Sequence, residues 1–331
     1  MQGKIFVVSA AVRDATVSVI VKADRVFAAM RRSWPGAPGV RLIRGEHEPS
    51  VGISDAYVDA AASLVLSQLV ERGLTPHFPL VYAATLCAAR MRQGAAGRAS
   101  QLIWMEHLDS SARHVLAHEP RADRWWSALF QVTAALVAGL EHVGLVHNDL
   151  HDRNVRRRRV PEDSFLYYRL ASGQLVAVPT FGSVYVVIDF GRVSLQPWGT
   201  DGPRVTSSAF DRNGSCRRLV PDNTNIDLVR FVLSLDEICD VVDSPSERRD
   251  LRALMRSWCT TDDGVDLIAA LDDVDDGSED DRRFFRLLDT VPRTRCHAAD
   301  PRQQLQRLAA FFPCSRLPDG VVPYPLNADI P

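Results

Sequence analysis

Two apolar, β-branched runs open the chain, Lys4–Ala11 (KIFVVSAA) and Thr16–Lys22 (TVSVIVK), separated by Arg13, Asp14 and Ala15. That pattern predicts a β-hairpin. A Pro/Gly-rich loop follows over Arg31–Val40. Over Asp55–Arg72, Ala, Leu and Val recur at helical spacing, and Gly73 stands where a helix C-terminus favours glycine. Phe78–Ala83 and Gln101–Met105 read as strands flanking a basic, glycine-containing loop at Arg90–Arg98. The character then changes. Trp125–Val143 is apolar around its whole circumference, as a buried helix is. Val184–Ile188 predicts a buried strand, residues 192–222 an irregular stretch, and Ile226–Val242 another helix. Helical pieces beyond Ser244 lead into a proline-rich tail from Pro313. No internal repeat is present, and the order of elements predicts an α+β protein.

Composition changes this picture little. The 331 residues are 46% hydrophobic and 24% charged, ordinary values that exclude collagen-like and wholly disordered chains. A formal net charge of -2 gives no general attraction to nucleic acid or membrane. It conceals a segment, residues 262–281, with ten acids and no Lys or Arg, so the remaining body is mildly basic. Within it, residues 272–283 place a glycine as an EF-hand does, but Val274 fills a ligand position and Arg283 replaces the closing glutamate. The Arg90–Arg98 loop lacks the interleaved aromatics of a base-stacking surface. Six cysteines without CxxC spacing point to reduced thiols rather than a zinc site. No run reaches the length of a membrane span. A soluble, cytoplasmic protein is the expectation.

The basic residues carry a sharper signal. Only Lys4 and Lys22 are lysines among 39 Lys and Arg, so each lysine is informative where a compact ammonium is needed. Lys22 ends a predicted strand. Leu145–Val155 (LVHNDLHDRNV) sets His147, Asp149 and Asn154 in the form His-x-Asp-(x)4-Asn directly after the buried helix. The strand at residues 184–188 delivers Asp189-Phe190-Gly191.

Taken in order, these three signals resemble the protein-kinase-like superfamily. The form HNDLHDRN is closest to atypical and aminoglycoside-phosphotransferase-like kinases and to kinase-like proteins of large DNA viruses. The resemblance implies a two-lobed α+β fold. A small antiparallel sheet with a helix forms an N-lobe over residues 1–105, and residues 106–331 form a mainly helical C-lobe. It also implies ATP and Mg²⁺ as cofactors, bound between the lobes. Lys22 would reach the α/β-phosphates, Asp189 and Asn154 would hold metal, Asp149 would serve as catalytic base, and His147 would support the loop. Leu102–Leu108 would be the hinge, with Met105 as gatekeeper, Glu106 and Leu108 presenting backbone groups to adenine, and Asp109 near the ribose. Asp227 would anchor the catalytic loop from below.

Departures from the family pattern bear on activity. No GxGxxG precedes Lys22, and only Gly3 stands near the start, so the first strand and glycine-rich loop look truncated. The glutamate that pairs with such a lysine is replaced by Asp59, with Glu71, Glu46 and Glu48 as alternatives. Asn148 and His151 stand where ordinary protein kinases carry Arg and Lys, which removes the clamp for a phosphorylated activation loop. About twenty residues around Pro161–Gly182 look inserted. Arg156–Arg159 reads either as a solvated strand end or as a contact for an acidic substrate. The expectation is a phosphotransferase to a hydroxyl, most simply on protein Ser/Thr. A small-molecule kinase and a nucleotide-binding pseudokinase scaffold stand as alternatives.

Overall fold

A computed structural model describes residues 4–12, 15–26, 55–88, 99–196, 205–206, 224–272 and 296–326. Glu46, Glu48, the Arg90–Arg98 loop, Gly3 and residues 273–281 of the acidic segment lie outside them.

The N-terminal hairpin pairs β1 (Lys4–Val12) with β2 (Ala15–Val26). β3 (Val81–Ala88) and β4 (Ala99–Glu106) complete an antiparallel sheet in the order β1-β2-β4-β3. β3 begins three residues later than its sequence pattern predicts. Phe78 is fully buried in the main core instead, and the β3–β4 register shifts between Val81 and Ala83. Pro79, which has no backbone donor, precedes this irregular start. Helix α1 (Asp55–Glu71) packs on the sheet through a small cluster of Ala60, Val81, Ile103 and Met105. Gly73, at φ +68°, ends it.

The second lobe is built around α3 (Ala122–Val143), whose Ala, Leu and Val residues are buried along most of its length. Gly144 closes this helix at φ +56°, where its missing Cβ also avoids Gln196 Cβ at 2.9 Å. Before it, α2 (Ala112–Leu116) is capped by Ser111, which accepts the His114 N–H. β5 (Val155–Arg159) and β8 (Ser183–Val187) form an antiparallel pair that flanks the inserted segment. The insertion is a folded unit. Its strands β6 (Phe165–Leu170) and β7 (Leu175–Pro179) form a hairpin, and β11 (Tyr324–Leu326) adds in parallel to β6. β9 (Ser194–Leu195) pairs with β10 (Val205–Thr206) in the stretch read as irregular. The helix predicted over Ile226–Val242 is shorter: α4 covers Ile226–Asp236, and a 3₁₀ turn follows at Cys239–Val241. Then come α5 (Pro245–Trp258), α6 (Leu267–Asp272) and α7 (Pro301–Ala309). The architecture is therefore the expected α+β one, a small antiparallel sheet with a helix joined to a mainly helical body. Among the described residues no helix is long and apolar enough to cross a membrane.

His77 ties the insertion to the rest. It is fully buried, with Nδ1 at 2.8 Å from the Tyr185 carbonyl and Nε2 at 2.7 Å from the Tyr168 hydroxyl. These partners fix a neutral ring in which Nδ1–H donates and Nε2 accepts. Burial lowers its pKa from 6.5 to about 3. Between those values the unfolded chain binds the proton and the folded chain does not, so stability falls as pH falls. Urea unfolding at pH 7 and pH 5 is expected to show a loss from this group of up to about 2 kcal/mol. A His77→Phe variant should flatten that part of the dependence, and an unchanged slope would exclude His77 as its source.

Candidate active site

Strand β2 places Lys22 opposite Ile103 of β4, at the sheet's mid-strand rather than at its edge. Its Nζ lies 2.6 Å from Asp59 Oδ2 on α1 and 2.6 Å from Asp189 Oδ1 after β8. Asp59 is buried, and its other oxygen accepts the Phe190 N–H at 2.8 Å. One short carboxylate therefore joins the sheet, the helix and the segment after β8. Asp59 is one methylene shorter than glutamate, and here the DFG backbone lies close enough for its second oxygen to bond it. Glu71, the alternative on the same helix, bonds Ser67 at 3.4 Å instead.

Asp189 adopts φ +69°, a region non-glycine residues seldom occupy. Desolvation raises its pKa, but the charge and hydrogen bond of Lys22 outweigh this and leave the carboxyl below its ordinary value. Its side chain stays 46% exposed.

Across from it, the loop between α3 and β5 is held on every side. Asp227, at the start of α4 and fully desolvated, accepts the N–H of His147 at 2.6 Å and of Asn148 at 2.7 Å. Burial pushes its carboxyl above the ordinary value despite those bonds and the nearby His147 and Arg230. His147 Nε2 is 3.0 Å from the Ile188 carbonyl and Nδ1 accepts the Asp149 N–H at 3.3 Å, while the ring packs against Phe190 at 5.5 Å. Asn148 takes φ +63°, a conformation asparagine tolerates better than most residues. It also bonds the Arg192 carbonyl at 3.2 Å. Asn154 donates Nδ2–H to the Asp149 carbonyl at 2.9 Å, which leaves its own carbonyl oxygen for another partner. The Asp149 carboxylate meets Arg192 at 3.1 Å and the buried Arg230 at 3.6 Å. His151 is half-buried, and desolvation lowers its pKa, so its ring is neutral at pH 7. Ile188 donates its N–H to the Asn154 carbonyl at 2.9 Å, which locks this loop to the strand before Asp189.

The hinge stretch differs in part from its sequence reading. Met105 is buried, pairs with Ile20 of β2 and joins the small N-lobe cluster. The Glu106 N–H is spent on the Leu80 carbonyl, and its carboxylate accepts the Leu80 N–H at 2.8 Å. Leu108 is buried. Asp109 is committed elsewhere, because Arg157 and Arg159 both bond its carboxylate and hold it well below the usual range. Three arginines of the run are therefore paired with acids, although Arg159 at its end stays largely exposed. Arg158 binds Glu106 through Nε and Nη2 and reaches the carbonyls of Pro76 and Phe78. Strand alternation alone would have sent Arg157 and Arg158 to opposite faces; acids on both sides of β5 occupy both. An Arg158→Met variant leaves a part-buried Glu106 without its cation, and urea unfolding is expected to show a loss of about 2–3 kcal/mol. An unchanged midpoint would mean that Leu80 alone satisfies Glu106.

The structure thus gathers Lys22, Asp59 and Asp189 into one cluster and His147, Asp149, Asn154 and Asp227 into a second, linked through Ile188 and Phe190. Two residues that motif reading passed over also belong here, Arg192 and Arg230, both beside Asp149. Arg192 was within reach of sequence reasoning, as the residue directly after Gly191. Among the described residues no group of three or more His, Cys, Asp or Glu side chains converges as a metal site. The Asp189 and Asn154 oxygens are hard donors that suit Mg²⁺ when substrate phosphates and water complete its shell.

Sheet, helix, anchored loop and Asp-Phe-Gly turn together resemble the arrangement of protein-kinase-like proteins. No protein-family model matches it. Over 138 residues, 40% of the chain, it is 28% identical to "Putative serine/threonine-protein kinase 019R" of Frog virus 3 (isolate Goorha). That stretch is 16% of the viral protein, so the chain spans only a minor part of its relative's length. Among solved structures, WaaP in complex with acyl carrier protein aligns over 86% of this chain and 89% of its own, at 15% identity and a TM-score of 0.35.

Proposed function

We propose that the protein transfers the γ-phosphoryl group of ATP to a hydroxyl, with Mg²⁺ as the companion ion. The observation that carries this reading is the Lys22–Asp59–Asp189 chain of contacts facing a loop in which Asp149 and Asn154 are rigidly held. Phosphoryl transfer asks the protein mainly for positioning and charge neutralisation, and both clusters supply these. Lys22 would give a single-point cation to the α/β-phosphates. Asp189 and the free oxygen of Asn154 would hold the metal, whose chemistry is to neutralise the phosphate oxygens. Asp149 would align the attacking hydroxyl and take its proton. His147 acts from below, fixing the Asp149 backbone.

Arg192 and Arg230 beside Asp149 bring cationic charge to the side of the site where His151 is neutral. They hold the Asp149 carboxylate in place, and Arg192, which is half-exposed, can also meet the transferred group. The acceptor is proposed to be a protein Ser/Thr hydroxyl, in line with the description of the viral relative.

The test is transfer of labelled γ-phosphate from ATP with Mg²⁺, offered a generic protein substrate in one arm and a panel of small alcohols and aminoglycosides in another. Label in the protein arm, lost on chelation of Mg²⁺, supports the protein-kinase reading. Label only in the alcohol arm moves the assignment to a small-molecule kinase. Nucleotide binding without transfer in either arm, on folded protein, replaces both with a nucleotide-binding scaffold.

A further inference from the structure

In α4, Asp227, Arg230 and Ser234 are spaced i, i+3, i+7, so they share one face, and all three are buried. Each is spent on the loop between α3 and β5. Asp227 accepts the His147 and Asn148 N–H groups, and Arg230 Nη1 donates to the Asn148 carbonyl. Ser234 Oγ accepts the Asp152 N–H at 2.9 Å while donating to the Phe231 carbonyl at 2.7 Å. A polar stripe on a buried helix thus grips the loop at its start and again at Asp152.

A second element closes on the same residue. The Asp152 carboxylate, 3% exposed, accepts Nη1 of Arg113 from α2 at 3.1 Å, and its carbonyl accepts the Arg113 N–H at 3.4 Å. Arg113 Nη1 also approaches the Ser234 carbonyl at 3.5 Å, and Nη2 meets Glu237 on the solvent side at 2.9 Å. What these contacts fix is a turn. The Asn154 N–H bonds the His151 carbonyl at 2.9 Å, with Asp152 and Arg153 between them. The same turn carries Asn154, whose side chain bonds the Asp149 carbonyl.

We propose that Arg113, Asp152 and Ser234 are positioning residues for Asn154 as a magnesium ligand, clamping its turn between α2 and α4. This rests on the phosphotransferase reading above. A buried ion pair is weak evidence for stability, so the worth of this one is the fixed place it gives the turn. Loss of such outer partners weakens a metal site about 10–100-fold.

The experiment is calorimetric affinity for an ATP analogue with a non-transferable γ-phosphate, measured with Mg²⁺ and with a chelator. The ratio of the two affinities is the magnesium gain. Arg113→Gln is expected to lower that gain about tenfold and leave the chelator value unchanged. Ser234→Ala, a small change that suits a helix, removes the acceptor of the Asp152 N–H and is expected to lower the gain in the same direction. It keeps the test open if Arg113→Gln fails to fold. Glu237→Gln alters only the exposed contact of Arg113 and is expected to keep the wild-type gain. A merely structural role would lower the unfolding midpoint and leave the gain intact. A wild-type gain in the folded Arg113 and Ser234 variants, an equal loss with chelator, or an equal loss in Glu237→Gln would each overturn the inference alone. A wild-type protein without any magnesium gain would overturn the phosphotransferase reading, and this inference with it.

Discussion

Exchange of Asp149 for asparagine is expected to lower phosphoryl transfer by about 10²–10⁴-fold while leaving the fold and nucleotide affinity nearly unchanged. Asparagine keeps the shape and one acceptor oxygen, so the backbone bonds of the loop survive: the Asp149 N–H still reaches His147, and its carbonyl still accepts from Asn154. What disappears is the negative carboxylate between Arg192 and Arg230. Without it nothing in the loop orients the hydroxyl or accepts its proton. The readout is the kcat for labelled phosphate transfer, with ATP affinity measured separately. A drop in affinity with kcat intact would assign Asp149 to binding rather than to the proton. An Arg192→Gln variant offers a finer comparison. Its contact is half-exposed and replaceable by Arg230, so its loss is expected to be smaller, about tenfold.

The largest effect on stability is expected at Asp227. Its two oxygens satisfy the His147 and Asn148 N–H groups in a site closed to water, and Arg230 lies alongside. Asp227→Ala would leave two buried N–H groups unpaired, at about 1–3 kcal/mol each. For the two together, the expected loss of unfolding free energy is about 3–5 kcal/mol. The Asp227→Asn variant retains one acceptor and should recover roughly half. Urea unfolding measures both. If Asp227→Ala unfolds at the wild-type midpoint, the loop is held by its other bonds, those of His147 to Ile188 and Asn154 to Asp149. Because Asp227 touches neither cluster's reacting atoms, any activity lost in Asp227→Asn should return as the temperature is lowered, unlike that of Asp149→Asn.

These expectations came from two different levels of information. The elements were legible where periodicity is strong. The N-terminal hairpin, α1 up to Gly73, the buried α3 and the strand before Asp189 all follow from local apolar spacing and from glycine at the helix ends. Lys22, Asp149, Asn154 and Asp189 were likewise visible as candidates, because short-range motifs put unlike functional groups at fixed spacing. Local pattern failed at the edges of elements. Phe78 has the look of a strand residue yet packs into the main core, and α4 stops at Asp236 because its continuation turns into a 3₁₀ segment.

What only the tertiary structure decided is how charges meet. Nothing local distinguishes Asp59 from Glu71 or Glu46, and the choice is made by which carboxylate the sheet and the segment after β8 converge upon. The Arg156–Arg159 run looks in sequence like a solvated or ligand-binding patch. In the fold Arg157, Arg158 and Arg159 are spent on Glu106 and Asp109, about fifty positions away along the chain. Arg192 and Arg230 join Asp149 by the same rule, from a turn and a helix that no spacing connects. The chain's apolar periodicity determined its elements and its motifs named the candidate site residues. Ion pairs act through space rather than along the backbone, so their partners, and with them the shape of the site, were settled by packing.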